Sequence, residues 1–221
     1  MFRKSLLALA GIAAIATATP AAATDDALEY WFEPSFEFDL DDDTSAEIAT
    51  AFRFRDFEND GRSDTYYVRG WLKQKLSDSI TVAGGAEYRE NSPGSNEKRL
   101  LQQVSGKHGL LRSRVRLEER FVDGNGGRMG LRLRTRLGVS GDLTEDGRWG
   151  AQANTEMFWT IRSNSDGGQD GLTGVRTQIG VSYQINDTFD LSLSYLREQS
   201  LRDNREDRVS HVPLVSLDVS L

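Results

Sequence analysis

The residues best suited to chemistry are arginines that recur at every second position of two neighbouring segments. The first segment carries Arg112, Arg114, Arg116, Glu118 and Arg120, and the second carries Arg132, Arg134 and Arg136. In a β-strand alternate side chains share one face, so these charges lie on the same side. Guanidinium groups bind carboxylates and phosphates at two points, and rings of arginine select anions in pores. The spacing predicts an arginine-rich surface that attracts anions or forms ion pairs.

A hairpin between the two segments would bring like charges face to face. If the turn Val122–Gly127 pairs Arg120 with Arg128, the opposed pairs are Arg116–Arg132, Arg114–Arg134 and Arg112–Arg136. Directly opposed like charges destabilise a sheet, so carboxylates must compensate them. The candidate acids on polar faces are Glu118, Glu156, Glu33, Glu37, Asp39, Glu47 and Glu87. Arg176 lies on the polar face of a further segment and is, like the other arginines, a candidate lumen residue.

The elements that position these residues are strands. Eleven segments between Tyr30 and Leu221 alternate apolar and polar residues and are separated by clusters of Asp, Gly, Asn and Ser. Most are longer than the roughly 5–6 residues of a soluble strand, and they suit a tilted membrane strand of about 9–11 residues. We therefore predict an all-β fold, an antiparallel transmembrane β-barrel with the charged face lining the lumen. A soluble periplasmic β-sandwich is the alternative.

The number of strands follows from a parity rule. Bacterial single-chain barrels have an even number of strands. The barrel has ten strands if Lys98–Ser105, whose two faces are mixed, is a loop, or twelve if one segment is overlooked; we favour twelve. The short turns Ser77–Ser79 and Asn186–Thr188 are expected on the periplasmic side, and the longer stretches Asn91–Asn96 and Ser163–Asp170 on the outer side.

The first 23 residues have the form of a secretory signal. Arg3 and Lys4 precede the apolar run Leu6–Ala16, and small residues lead to Ala23. The apolar run is shorter than the roughly 20 residues of a membrane helix. We expect cleavage after about Ala23, export to the outer membrane, and a single domain over residues 24–221.

Composition argues against several classes of function. The formal net charge is −7, which argues against nucleic acid as a partner. The chain has no cysteine, so no disulfide or thiolate metal site is expected. His108 and His211 show no metal-ligand spacing, and we predict neither metal nor cofactor. Asp41–Asp43 could hold Ca²⁺, although a solvated turn is the simpler interpretation.

An enzyme is the alternative from another class. A lipid-modifying hydrolase needs a serine beside a histidine, and His211 with Ser210 or Ser194 is the candidate pair. His211, however, has the parity of the apolar face of the last segment. We therefore predict no catalytic residue and no enzymatic activity.

Several motifs resemble one family of exported proteins. They are Arg114-Val115-Arg116-Leu117-Glu118-Glu119-Arg120-Phe121, Leu131-Arg132-Leu133-Arg134 and Asn154-Thr155-Glu156-Met157-Phe158. The chain is similar to the domain of unknown function 2490 family of Gram-negative bacteria over the whole region after the signal.

The resemblance implies an outer-membrane barrel of unassigned activity. A barrel in that membrane has outer-membrane lipid and the barrel assembly machinery as expected partners, and the arginine pattern indicates small anionic solutes as candidate ligands. Barrel chains usually end on Phe or Trp, so Leu221 departs from that pattern. We expect either a structural barrel with an ion-paired lumen or a narrow anion-preferring pore.

Overall fold

A computed structural model describes residues 24–55, 61–204 and 206–221 of the chain, and the predicted signal peptide Met1–Ala23 lies outside the described residues. Twelve strands form the fold. They are β1 (Thr24–Leu28), β2 (Tyr30–Asp39), β3 (Thr44–Phe54), β4 (Asp64–Ser77), β5 (Ile80–Ser92), β6 (Glu97–His108), β7 (Leu111–Val122), β8 (Met129–Asp142), β9 (Trp149–Arg162), β10 (Gly171–Gln184), β11 (Phe189–Ser200) and β12 (Asp207–Ser220). In this part of the chain no helix has the length and hydropathy that crossing a membrane requires.

One sheet closes on itself to form a barrel. From β2 to β12 each strand pairs antiparallel with the next along the chain, and β12 pairs in turn with β1 and β2. The barrel prediction is confirmed, and the alternative of a two-sheet sandwich is wrong. The ten-strand alternative is also wrong, because Lys98–Ser105 lies within β6. Its faces look mixed because Leu101 points inward, where it is buried, while Lys98 points outward.

The closing seam is parallel, which the antiparallel expectation did not include. Thr24 pairs with Asp207 and Trp31 pairs with Leu214, with the same offset, so β1 and β2 occupy successive stretches of one edge of β12. Twelve strands, the favoured number, therefore fill eleven positions around the wall. An odd number of positions makes the first and last strands run in the same direction, and this explains the parallel pairing.

Alternation along each strand separates the two faces of the wall. Outward side chains such as Phe32, Ile179 and Leu193 are exposed, whereas inward neighbours such as Trp31 and Ser192 are buried. Aromatic rings on the outer face contact each other near both ends, with Phe52 against Tyr66 (5.8 Å) and Trp149 against Tyr183 (4.8 Å). This outer face matches the apolar surface with aromatic girdles of a membrane barrel.

The two ends of the barrel differ in their connections. At one end, here the short-turn end, the connections are residues 40–43, 78–79, 109–110, 143–148 and 185–188. At the other, the long-loop end, they are residues 55–63, 93–96, 123–128, 163–170 and 201–206, of which 56–60 and 205 are not described. The turns expected on the periplasmic side all lie at the short-turn end; which end faces the periplasm stays a prediction.

Candidate functional site: the charged lumen

The register of the arginine hairpin differs from the predicted one by two residues. Arg116 lies opposite Arg134, Arg114 opposite Arg136, and Glu118 opposite Arg132. The predicted pairing of Arg120 with Arg128 is wrong: Arg120 pairs with Gly130, and residues 123–128 form two successive turns beyond the last pair, Phe121 with Met129. Three glycines at positions 124, 126 and 127 adopt positive φ there, a conformation that costs glycine little. The shift replaces one of the expected arginine pairs with an attractive arginine–glutamate pair.

Glu156 on β9 is the acid that serves the opposed arginines. Arg114 and Arg134 donate to its carboxylate, the second from Nη2 at 2.6 Å. Arg136 donates at 3.1 Å, and Arg176 approaches from β10 at 3.9 Å. The carboxylate has no exposed surface. A single buried acid therefore holds guanidinium groups from three strands.

Glu118 on β7 is a second buried acid of the same kind. Arg132 donates to it at 2.6 Å and Arg134 at 2.8 Å, so Arg134 joins Glu118 to Glu156. Arg99 on β6 lies 3.6 Å away. Because buried charges are costly unless they are paired, these contacts are what allow both acids to remain inside the wall.

Arg99 extends the ion pairs to β6, which the sequence prediction did not include, and to the predicted acid Glu87 on β5. It contacts Glu97 at 2.6 Å and Glu87 at 3.3 Å. Glu97 also accepts from Arg120 at 2.5 Å, and Glu87 accepts from Arg89 at 2.9 Å. At the other side Arg176 donates to Glu198 on β11.

These contacts form one connected group, here called the central network. Nine arginines share five glutamates in it: Arg69, Arg89, Arg99, Arg114, Arg120, Arg132, Arg134, Arg136 and Arg176 with Glu87, Glu97, Glu118, Glu156 and Glu198. The central network therefore carries more positive than negative charge, although the formal charge of the whole chain is negative.

Aromatic and aliphatic side chains complete the filling of the lumen. Trp31 packs with Leu196, Val212 and Leu214 in a buried cluster. The guanidinium carbon of Arg176 lies 5.0 Å from the Trp31 ring centre. From the far side of the wall, Arg116 on β7 stacks over Trp71 on β4 at 4.8 Å. Side chains from non-neighbouring strands thus meet across the lumen.

The sequence prediction missed these apolar residues of the lumen. Their odd or even position along each strand is the signal that could have identified them. Phe158 has the same parity as Glu156 on β9 and is buried, with Arg134 over its ring at 4.8 Å. Leu196 likewise has the parity of Ser194 and Glu198. An apolar residue at a polar-face position of a barrel strand points inward whatever its type.

The ten predicted lumen residues all lie on inward positions of their strands. Nine of them have the contacts given above: Arg114, Arg116, Glu118, Arg120, Arg132, Arg134, Arg136, Glu156 and Arg176. Arg112 stands apart, since it donates to the backbone oxygens of Gly109 (2.5 Å) and Leu111 (3.0 Å). That these residues serve a transport function stays a prediction.

Toward the short-turn end the lumen contains an open polar space, here called the vestibule. Three adjoining cavities of about 310, 410 and 310 Å³ share lining residues such as Thr81, Arg112 and Gln152. Lys73 bridges Glu37 (3.0 Å) and Glu47 on its wall.

At the rim of the vestibule the backbone amide of Asp43 donates to the Asp41 carboxylate at 2.9 Å. This hydrogen bond lowers the pKa of Asp41 from its ordinary value. Among the described residues, no three His, Cys, Asp or Glu side chains are grouped so that they could hold a metal ion.

The candidate serine–histidine pair is not assembled. His211 faces outward, where its Nδ1 lies 2.5 Å from the hydroxyl of Tyr195. Ser210 and Ser194 face inward and are buried. Because adjacent residues of a strand point to opposite faces, His211 cannot act as a base toward either serine.

Comparison with known proteins identifies one family. The family described as "Protein of unknown function (DUF2490)" matches residues 28–209. No curated protein matches the chain.

Three solved structures give weaker likenesses. "KdgM porin" is 10% identical over 77% of this chain and 89% of that chain, with a TM-score of 0.49. "KdgM porin in complex with disordered oligogalacturonate" is 10% identical over 77% and 90%, with a TM-score of 0.45. A structure titled "Unveiling the Mechanism Behind the in-meso Crystallization of Membrane Proteins" is 12% identical over 79% and 71%, with a TM-score of 0.43. These values are too low to transfer a ligand or an activity.

Proposed function

The chain belongs to the DUF2490 family, a family of unknown function, and from this premise we propose a non-enzymatic outer-membrane barrel with a lumen closed at its middle. The central network and the cluster around Trp31 form the closure, and the vestibule remains accessible from the short-turn end. In this proposal the protein is exported, loses its signal peptide near Ala23 and is inserted by the barrel assembly machinery. Lipid surrounds its apolar outer face.

The burial of Glu118 and Glu156, the two acids that each contact several arginines, carries the proposal. Glu118 and Glu156 each have 0% exposed surface although both point into the lumen. A water-filled path beside them would leave their carboxylates accessible. Small barrels are usually filled by their interior side chains, and large inward arginines and tryptophans fill this one.

The test is a current measurement on the mature protein in planar bilayers. Folding is checked first by heat-modifiable mobility on a gel. We expect no steady single-channel current from the folded wild type. A steady current would overturn the closed barrel.

A narrow anion-preferring pore is the second candidate, and the excess of arginine over glutamate in the central network favours it. Rings of arginine attract anions. If a current is found, replacing Arg114 and Arg134 by Glu should reverse the preference for anions over cations. In a closed barrel the same double change gives no current and lowers the unfolding midpoint instead, because Glu118 and Glu156 then face new negative charge.

A further inference from the structure

The innermost cavity of the vestibule brings three arginines together. Arg112, Arg114 and Arg136 line a space of about 310 Å³ that borders the central network. Arg114 and Arg136 are opposed on β7 and β8, and Arg112 lies one position nearer the short-turn end, opposite Gly138. Gly138 lies between Arg112 and Asn154 on the neighbouring strands and has no side chain to occupy the space between them.

Positive charge in this cavity is only partly balanced. Arg114 and Arg136 share the single carboxylate of Glu156, which also serves Arg134 and Arg176. Arg112 hydrogen-bonds only backbone oxygens among its described contacts. The one acid in the lining, Asp78, is at the rim and pairs with Lys75 at 3.1 Å.

Three polar atoms without a hydrogen-bond partner belong to residues that line this cavity. Asn154 lines the cavity and is only 8% exposed, yet its side-chain oxygen has no hydrogen-bond partner. The Nε atoms of Arg114 and Arg136 are also buried without an acceptor. Buried polar groups are normally satisfied, so three such atoms on the lining residues of one cavity call for an explanation.

We propose that this cavity is a binding site for a small hydroxylated organic anion, whose carboxylate or phosphate group lies between Arg112, Arg114 and Arg136. Guanidinium groups bind such oxyanions at two points. Side chains of Ser105, Gln152 and Asn154 offer partners for hydroxyl groups. The volume lies at the lower end of the range for small-molecule sites, about 300–1,000 Å³, and suits a single sugar-sized ligand.

The proposal rests on the proposed function for its route of entry, because the ligand must arrive from the short-turn end. The binding measurement, however, involves no current, so the two can fail separately. A conducting barrel that binds the anion would overturn only the closure. A closed barrel that does not bind it would overturn only the site.

Calorimetric titration of the mature barrel in a non-ionic detergent at low chloride tests the site with three probes. Glucuronate and glucose match in size and hydroxyl groups but differ in charge, and inorganic phosphate reports on charge alone. We expect saturable binding of glucuronate and weaker binding of phosphate, and none of glucose. Equal binding of glucose, or binding of phosphate without glucuronate, would overturn the assignment.

Two variants locate the binding. Arg112→Gln leaves the central network intact and should weaken glucuronate binding about tenfold, since each hydrogen bond to a charged group contributes that order of affinity. Arg114→Gln with Arg136→Gln should abolish it. The matched control is Arg128→Gln with Arg162→Gln, which removes the same charge at the long-loop end. Unchanged binding in Arg112→Gln overturns the site even if the double variant does not fold.

Discussion

Arg114 on β7 lies directly opposite Arg136 on β8, and both guanidinium groups donate to one carboxylate, that of Glu156 on β9. Two like charges in this position would repel if they stood alone. The acid from the third strand makes the arrangement attractive, so the hairpin depends on β9 as well as on its own register. The balance of charge around Glu156 is therefore a property of three consecutive strands and of no single hairpin.

The first prediction concerns that carboxylate. Glu156→Gln leaves Arg114, Arg134 and Arg136 without their shared charge partner while the side chain keeps its size. We expect the free energy of unfolding to fall by about 3–5 kcal/mol, the usual cost of breaking a buried ion pair. Denaturant unfolding in lipid vesicles measures it.

Glu119→Gln is the matched control for this change. Glu119 has the outward parity on β7, opposite Leu131, and its loss removes the same charge from the opposite face. We expect a change below about 1 kcal/mol there. Equal destabilisation by both variants would contradict the role given to the central network.

Much of this site could be predicted from sequence, because alternation fixes the face of each residue. Alternation placed Arg114, Arg134 and Glu156 on the lumen side of the wall without any tertiary information. It could not provide the hairpin register, since that depends on how the glycines of residues 123–128 fold. Nor could it show that Arg99 joins the network, because β6 reads as mixed when Leu101 faces inward.

The parallel pairing that closes the barrel could not be predicted from the sequence, for a different reason. Pairing between the first and last strands is set by the number of positions in the closed wall, which no local pattern encodes. Trp31 shows the same limit. Its position in β2 alternates with outward residues and is therefore inward, but its contacts with Leu196 and Val212 depend on closure between β2 and β12.

The second prediction tests which face meets lipid. Leu193 points outward near the middle of β11 and is 58% exposed, whereas Ser192 beside it faces the vestibule. Leu193→Arg should cost about 2–4 kcal/mol of unfolding free energy in vesicles, the cost of an arginine at the bilayer midplane. Ser192→Arg should cost much less, because its side chain extends into a polar space. Equal costs would argue against a membrane-facing outer surface.

The third prediction tests the parallel seam. Ser35 on β2 pairs with Asp218 on β12, and their side chains are hydrogen-bonded. The chain has no cysteine of its own, so Ser35→Cys with Asp218→Cys should give one crosslink on mild oxidation, seen as a shift in gel mobility.

Ser35→Cys with Ser210→Cys is the control for the seam. Ser210 lies eight positions away from Asp218 along β12, a distance of about 26 Å at roughly 3.3 Å per residue. We expect no crosslink from this pair. If the control pair crosslinks and the Ser35–Asp218 pair does not, the register of the closing strands is different.

The fourth prediction opens the lumen. Trp31 is 3% exposed, packs against Leu196 and Val212, and has Arg53 over its ring at 3.7 Å. Trp31→Ala removes the largest apolar group from the closure. The unfolding free energy should fall by about 3–5 kcal/mol, as for other buried aromatic truncations. A current should appear in planar bilayers, and it should prefer anions because arginines border the new space.

Trp159→Ala is the control for this last change, because Trp159 points outward and is 39% exposed. It removes an indole of the same size from the outer face, so the lumen should stay closed and no current should appear. The comparison separates loss of the closing group from a general loosening of the barrel, which both variants could cause. A Trp31→Ala barrel that remains folded and carries no current would show that the central network closes the lumen without the tryptophan.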